Sequence, residues 1–572
     1  MYLEIFMIKR KKKVGLASIL IFLLAVTGLA QSASDPINKG RTGEAEMIIT
    51  GRVVSPYGPE AGARVRIPGE DEFTLTDKDG RYRLKAAAPP GNRTLRVTAG
   101  KEGFFNNRAT VKRDGRAGDI FLNPIYLNDR SDYKFNSPRV CYACHTKLAL
   151  TWLDSKMAHA TSNPKLLDMY YGTDAYGHPG RGPGYRLDNP DSVGNCAICH
   201  APSAAADPGR SLDLKDILSS SRTEWDGISC EYCHKVRKVI DDPSTPSGAA
   251  AILERQKPAS GRSILVFGPY DDVVVPPMAA SYNPVYESGR FCSLCHSHRE
   301  PLAEGKVWDR EKIYTDEEWS GFGLKDDTML PIQTTYQEWK VWQDGLPQGD
   351  LNKEKNCQKC HMSWTKKLLP YYNYVVEDMA RNMWGTFRDP KNIRPHHFEG
   401  GTRAQLANAL AMELEGRVED GLLTIKVHIS NTNGGHWVPT GEPMRSVMLL
   451  VEARDSDEKP LKLVRGGRLP EWTGSGKPDD GGYAGLPGAV FAKVLADKDG
   501  NLNVPFWRAA SIAMDTRIRP KKTRTIEFVF ELPDPDDEPA VEARLIYRPV
   551  NRSLAEQKKW KVDDIPMVSK SW

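Results

Sequence analysis

Apolar and polar residues follow different rhythms along the chain and divide it into three stretches. Residues 47–127 hold short β-branched runs, Ile48-Ile49-Thr50, Arg64 to Ile67 and Thr94 to Thr98, punctuated by Gly and Pro. Such runs predict a small all-β module. Within it Thr76-Asp77-Lys78-Asp79-Gly80-Arg81-Tyr82 predicts a hairpin turn with Asp-Gly at its tip. Residues 402–560 alternate over Leu423 to Ile429, Ser446 to Ala453, Thr525 to Leu532 and Val541 to Tyr547, with Gly/Pro/Asp-rich breaks at Gly474 to Gly488 and Pro533 to Pro539. This predicts a second β-sandwich. Between the two, residues 128–401 carry short helical patterns and long loops, and few strands are expected there. Leu148, Leu150, Trp152, Leu153 and Met157 predict a helix over Lys147 to Ala160. The expected fold class is multidomain: a small β-sandwich, a mainly α or irregular core, and a C-terminal β-sandwich. Residues 31–46 read as a linker and 561–572 as a tail.

The amino terminus changes this picture first. Lys9 to Lys13 precede an apolar run from Val14 to Ala30, followed by polar Gln31, Ser32 and Ser34, with small Gly28 and Ala30 at its end. This predicts a signal peptide over 1–30, cut after Ala30, and export to the periplasm or cell exterior. The alternative is an uncleaved anchor, because the run reaches the lower limit for a membrane span. No cysteine precedes Cys141, so a lipid anchor through an N-terminal cysteine is excluded, and no other segment is apolar enough to span a bilayer. With 572 residues, 40% hydrophobic and 27% charged, the chain has a globular composition of roughly three or four domains. The net charge is +5, of which the terminal cluster (five bases against Glu4) supplies +4, leaving 5 − 4 = +1 for the body. A near-neutral body gives no footprint for nucleic acid.

The cysteines decide the chemistry. Ten cysteines in an exported chain first suggest disulfides. Their positions argue otherwise: Cys141/Cys144-His145, Cys196/Cys199-His200, Cys230/Cys233-His234, Cys292/Cys295-His296 and Cys357/Cys360-His361. Every cysteine belongs to a C-x-x-C pair and a histidine follows every pair, the attachment motif of c-type haem. The ten thiols would bind five haems covalently, and the five adjacent imidazoles would be proximal iron ligands. Zinc sites need no histidine after each pair, thioredoxin-like motifs do not recur five times, and iron–sulfur clusters use other spacings. Motif spacings of 55, 34, 62 and 65 residues are irregular, so no tight repeat underlies them.

Seven further histidines, His159, His178, His298, His396, His397, His428 and His436, are available for the second axial positions, and five would close every iron. Met157 or Met362 could stand in for one or two of them. His298 follows His296 too closely to pass around the same macrocycle, so it would serve a neighbouring haem. His159 lies 14 residues past His145, about 21 Å along a continuous helix, and would also reach across. His428 falls in an alternating strand and reads as structural.

These motifs resemble the multihaem cytochromes c that include hydroxylamine oxidoreductase and the tetrahaem cytochrome of ammonia oxidisers. The resemblance is carried by Gly227-Ile228-Ser229-Cys230-Glu231-Tyr232-Cys233-His234, the Cys292 to His298 run, Tyr336-Gln337-Glu338-Trp339, His396-His397-Phe398-Glu399-Gly400-Gly401, and Asn431-Thr432-Asn433-Gly434-Gly435-His436-Trp437-Val438-Pro439-Thr440-Gly441. It covers roughly residues 130 to 560, and implies His396 ahead of His397 and His436 ahead of His428 as distal ligands. With His159, His178 and His298 these complete the candidate set. Residues 47–127 resemble a carboxypeptidase regulatory-like domain, and 402–560 fit an immunoglobulin-like sandwich. Calcium at the Asp77–Gly80 turn is the weaker reading; an ordinary turn is preferred, because a full set of oxygen ligands is lacking.

The function expected is electron transfer through closely spaced bis-histidine haems to other redox proteins (cytochromes, quinol-linked or terminal reductases), with no residue assigned as catalytic and oligomerisation left open. The alternative is a multihaem oxidoreductase with one open iron, acting on a nitrogen or sulfur oxyanion. No C-x-x-C-K motif is present to mark a catalytic haem of the nitrite-reductase type. A third reading, adhesion, rests on the flanking sandwiches. Trp339 and Trp342 are expected to pack against porphyrin faces rather than relay electrons.

Overall fold

The computed structural model describes residues 46–88, 94–207, 211–219, 227–256, 264–275, 278–303, 305–324, 327–364, 388 and 392–572. The signal peptide, residues 31–45 of the linker and the aromatic stretch Tyr371 to Tyr374, read from its composition as a porphyrin packing surface rather than an electron relay, lie outside the described residues. The chain forms two units: Met1–Ile48 with Lys85–Arg93, described only at a few strand residues, and Ile49–Leu84 with Thr94–Trp572. The second unit holds all five C-x-x-C-H motifs.

Its N-terminal part is two small sheets. One holds the antiparallel run Phe73–Leu75, Arg64–Arg66, Leu95–Gly100 and Asn107–Val111, with Val65 opposite Ala99. In the other, Val53 lies parallel to Ile120. Their alternating apolar residues, including Val53, Val65, Val97 and Ile120, are fully buried. At the expected hairpin, Asp77 Oδ1 accepts from the backbone N–H groups of Asp79 and Arg81 at 2.9 and 2.8 Å, so this carboxylate closes the turn itself.

The middle stretch is built of helices of one to three turns and three two-stranded ribbons: Val236–Asp241 with Ala249–Leu253, Ile264–Gly268 with Met278–Tyr282, and His298–Pro301 with Met329–Gln333. Few strands were expected here, and the ribbons are short. The helix expected over 147–160 ends at Leu153. Beyond it Ser155 Oγ accepts the Ala158 N–H, and the Met157 carbonyl accepts from Ile228 at 2.9 Å. The chain therefore turns to meet Gly227, whose φ of +70° and crowding against the Met157 and Ala158 carbonyls suit only glycine. Among the described residues no helix is long and apolar enough to cross a membrane.

The C-terminal part is a sandwich of two antiparallel sheets. One runs Ala411–Glu419, Leu422–Ser430, Thr523–Glu531, Lys462–Arg465; the other runs Ser511–Asp515, Gly488–Ala496, Ser446–Arg454, Ala540–Arg548, Ile565–Ser571. Leu423, Ile425 and Val427 of the first share one core with Val447, Leu449 and Leu545 of the second. Period-two alternation delivers these residues to the inner face. The stretch 561–572, expected as a tail, contributes the last strand, with Val568 opposite Leu545.

Candidate haem centre

All five C-x-x-C-H segments form a single tight turn. Cys196–His200, Cys230–Lys235 and Cys357–His361 are short helices starting on the first cysteine, and the His145 and His296 N–H groups donate to the carbonyls of Cys141 and Cys292. Caps explain where two of them start: Ser229 accepts from Tyr232 N–H and Asn356 from Lys359 N–H. A helical turn puts residues i, i+3 and i+4 on one face, so both thiols and the imidazole project together. No disulfide joins any of the ten cysteines.

Four motifs, the first, third, fourth and fifth, line one cavity of about 1980 Å³, with His396, His436, Trp339 and Trp342 also on its wall. An ordinary small-molecule site is roughly 300–1,000 Å³. The second motif stands outside this lining and joins it through Cys199, whose thiol meets that of Cys295. Likewise Cys141 meets Cys230, and Cys292 meets Cys357. In space the first motif thus neighbours the third, and the fourth neighbours both the second and the fifth.

Two pairs of imidazoles face each other across this cavity. The ring centres of His234 and His396 are 6.4 Å apart, and those of His361 and His436 are 6.2 Å apart. Two metal–nitrogen bonds of about 2 Å, plus about 1.1 Å from nitrogen to ring centre on each side, give about 6.2 Å across a single metal. In all four rings Nδ1 meets a backbone carbonyl: Phe267 for His234 (2.6 Å), Arg394 for His396 (3.0 Å), Glu399 for His361 (2.5 Å) and Trp437 for His436 (3.0 Å). A carbonyl forces Nδ1 to donate, which leaves the Nε2 lone pair for a metal. Burial, with His234 alongside, pushes His396 down to about 4, and His296 likewise falls to about 4. Neutral imidazole is the ligating form.

His396 and His436 are each carried by a shaped loop. His396 is held by its N–H to Thr151 Oγ1 (2.9 Å), on the helix Thr146–Leu153. Three residues on, the Glu399 N–H donates to His361 O at 2.9 Å, so this one loop spans the third and fifth motifs. In the other loop Asn431 Nδ2 donates to the carbonyl of His436 at 2.9 Å, and a Cβ on Gly435 would press on Trp342 at 2.9 Å. Glu338, on the helix Thr335–Asp344, fixes the far side of that loop. Its carboxylate accepts from Trp437 N–H (3.2 Å), Thr440 Oγ1 (2.8 Å), Thr334 Oγ1 (2.5 Å) and Arg517 Nη1 (2.6 Å). Although burial alone would raise it, Arg517 holds this carboxyl below its ordinary range. The motif residues alone gave no sign of this role; the signal was an acidic residue in a segment otherwise aromatic.

The remaining histidines are placed differently. His298 stands edge-on to Phe506, ring centres 4.6 Å apart, with Nε2 3.3 Å from Glu300. His159 is exposed and its Nε2 faces the Leu153 carbonyl at 3.0 Å, six residues back, so the helical separation of about 21 Å does not apply beyond Leu153. His178 is exposed beside Asp174. Neither lines the cavity. His397 is buried with carboxylates at both nitrogens, Asp154 at 3.1 Å and Glu399 at 3.5 Å. His428 bridges strands, between Thr525 and Glu415.

Residues 140–235, which include the first three motifs, match the family model described as cytochrome c554 and c-prime. Over this segment the chain is similar to cytochrome c554. With the five motifs, the match supports a multihaem cytochrome c. A solved structure, a penta-heme cytochrome c552 from Thermochromatium tepidum, is similar at 19% identity over 76% of this chain and 98% of that one, with a TM-score of 0.48. Among curated proteins none matches.

Proposed function

We propose that this chain is an exported pentahaem c-type cytochrome that passes single electrons between redox proteins outside the cytoplasm. The observation that carries the reading is the two pairs of opposed imidazoles, His234/His396 and His361/His436, each at the separation one metal requires, inside a cavity walled by four haem-attachment motifs. The ten motif cysteines would hold the haems, and His145, His200, His234, His296 and His361 would be proximal ligands. His396 would close the third iron and His436 the fifth, while His298 would serve the second. When bound, haem supplies one-electron chemistry; the protein sets spacing, axial ligands and burial. The thiol contacts between motifs would set the route, first to third on one side and second to fourth to fifth on the other. Low-temperature EPR of the ferric protein tests this: at least two bis-histidine low-spin signals are expected, and a wholly high-spin spectrum would overturn it.

One observation favours a second reading. His159 and His178 face away from the cavity, which leaves fewer opposed imidazoles than irons. On that reading one iron keeps an open position and the chain is an oxidoreductase acting on a nitrogen or sulfur oxyanion. Stoichiometric carbon monoxide binding to the reduced protein would favour it. The sandwich types expected at either end, regulatory-like over 47–127 and immunoglobulin-like over 402–560, are part of the proposal.

A further inference from the structure

The N-terminal β-module touches the third haem motif through a connected set of contacts that neither the haem motifs nor an adhesion role calls for. His234 is oriented by the carbonyl of Phe267, in the parallel ribbon Ile264–Gly268 with Met278–Tyr282. The Phe267 side chain is 2% exposed and packs with Leu265 against Ile125 and Phe105, both from the N-terminal part. The neighbouring Asn106, itself buried, ties down the ends of the same ribbon. Its backbone N–H donates to Ala280 O at 2.9 Å, its Nδ2 donates to Tyr270 O at 2.9 Å, and its Oδ1 accepts from Tyr282 N–H at 3.0 Å.

An ion-pair cluster seals the same seam. Arg64 Nε and Arg66 Nη2 donate to Asp271 Oδ2 at 2.6 and 2.7 Å, and Gly69 N–H donates to Asp272 Oδ2 at 2.8 Å. Asp271 is 1% exposed, so its charge is held by these two guanidinium groups in a low-dielectric seam, where losing them would be costly. The backbones approach so closely that a Cβ on Gly100 would fall 2.7 Å from both Cα and O of Asp271. Both arginines also lie on the wall of the haem cavity.

We propose that this module is a structural part of the third haem centre: by clamping the ribbon behind Phe267 it fixes the orientation of His234. Arg64, Arg66, Asn106 and Phe105 are thus positioning residues for that imidazole, two steps removed from the metal. The inference rests on the haem reading above and adds to it a dependence that the haem motifs do not contain.

The test uses the full haem-loaded chain and two variants. Gly100→Leu wedges the seam open, and Arg64→Ala/Arg66→Ala removes the ion pairs without adding bulk. Limited proteolysis of each is compared with wild type to establish that the module has loosened, and ferric EPR and a potentiometric titration are then recorded. The expected result is a changed g-value set and a shifted midpoint for one haem of the five, with the other four unmoved and haem content intact. In a loosened variant, unchanged spectra and midpoints at all haems would overturn the proposal, as would an equal disturbance of every haem. A seam that neither variant loosens would overturn it too, since these contacts would then not be the clamp. A wild-type chain without haem would instead defeat the underlying reading, and the two failures are therefore distinct.

Discussion

Replacing Glu338 by alanine should disturb both the C-terminal sandwich and the fifth haem. Glu338 is 1% exposed and stands between Arg517 and the loop that carries His436. Removing one partner of a buried ion pair costs about 3–5 kcal/mol. Arg517 keeps Asp515, at 2.8 and 2.7 Å, which places the cost near the lower bound, about 3 kcal/mol. The Trp437 N–H loses its acceptor in a buried position, adding about 1–3 kcal/mol. A loss of about 4–6 kcal/mol is therefore expected in denaturant unfolding followed by far-UV circular dichroism, with a smaller loss for Glu338→Gln, which keeps the shape. The Glu338→Ala protein should also show a new high-spin or altered low-spin EPR signal amounting to one haem, because the His436 loop has lost its anchor. The sign with pH follows from the lowered carboxyl: the stabilisation is present above the ordinary carboxylate range and is lost as pH falls through the folded value. A Glu338→Ala protein within about 1 kcal/mol of wild type, with an unchanged spectrum, would rule out this anchoring role.

Further outcomes can be measured on the same material. His396→Ala and His436→Ala should each turn one haem high-spin, whereas His428→Ala should leave the spectrum alone, because that ring joins two strands. Lys493 is buried, and its ammonium is pushed down to about 7 by desolvation and by Arg517. The unfolded chain binds the extra proton between about 7 and the ordinary 10.5, so stability should rise with pH across that window by at most about 5 kcal/mol. That slope should vanish in Lys493→Met, as thermal melts at stepped pH would show. Gly227→Ala puts a methyl group 2.5 Å from two carbonyl oxygens at φ +70°, and should cost more than about 1 kcal/mol and lower haem content at the third motif, read by the pyridine haemochrome assay.

How much of this was legible beforehand depended on the range of each interaction. Each C-x-x-C-H motif occupies five consecutive residues, so the candidate attachment sites are read directly from the sequence. The outer strands were equally visible, because Leu423, Ile425, Val427 and Ile429 alternate with polar residues on a one-sided sheet. Gly488–Ala496 was not, since both of its faces are buried and it shows no alternation, its apolar residues interrupted only by Lys493; Ile565–Ser571, with Pro566 inside it, did not look like a strand. Family resemblance singled out His396 and His436, but that they stand opposite His234 and His361 had no signal in the sequence, because loops distant in the chain bring them there. Periodicity overran the helix past Leu153, where contacts to Ile228 override local preference. The spatial order of the motifs, with the first beside the third and the second beside the fourth, has no local signal at all.

The proposed electron path requires five macrocycles attached through all ten motif cysteines. Intact-mass spectrometry of the protein made in a haem-attaching host decides whether they are there. A mass increase of five haems that survives denaturation is expected; free thiols at any motif, or haem lost on unfolding, would rule the pentahaem reading out.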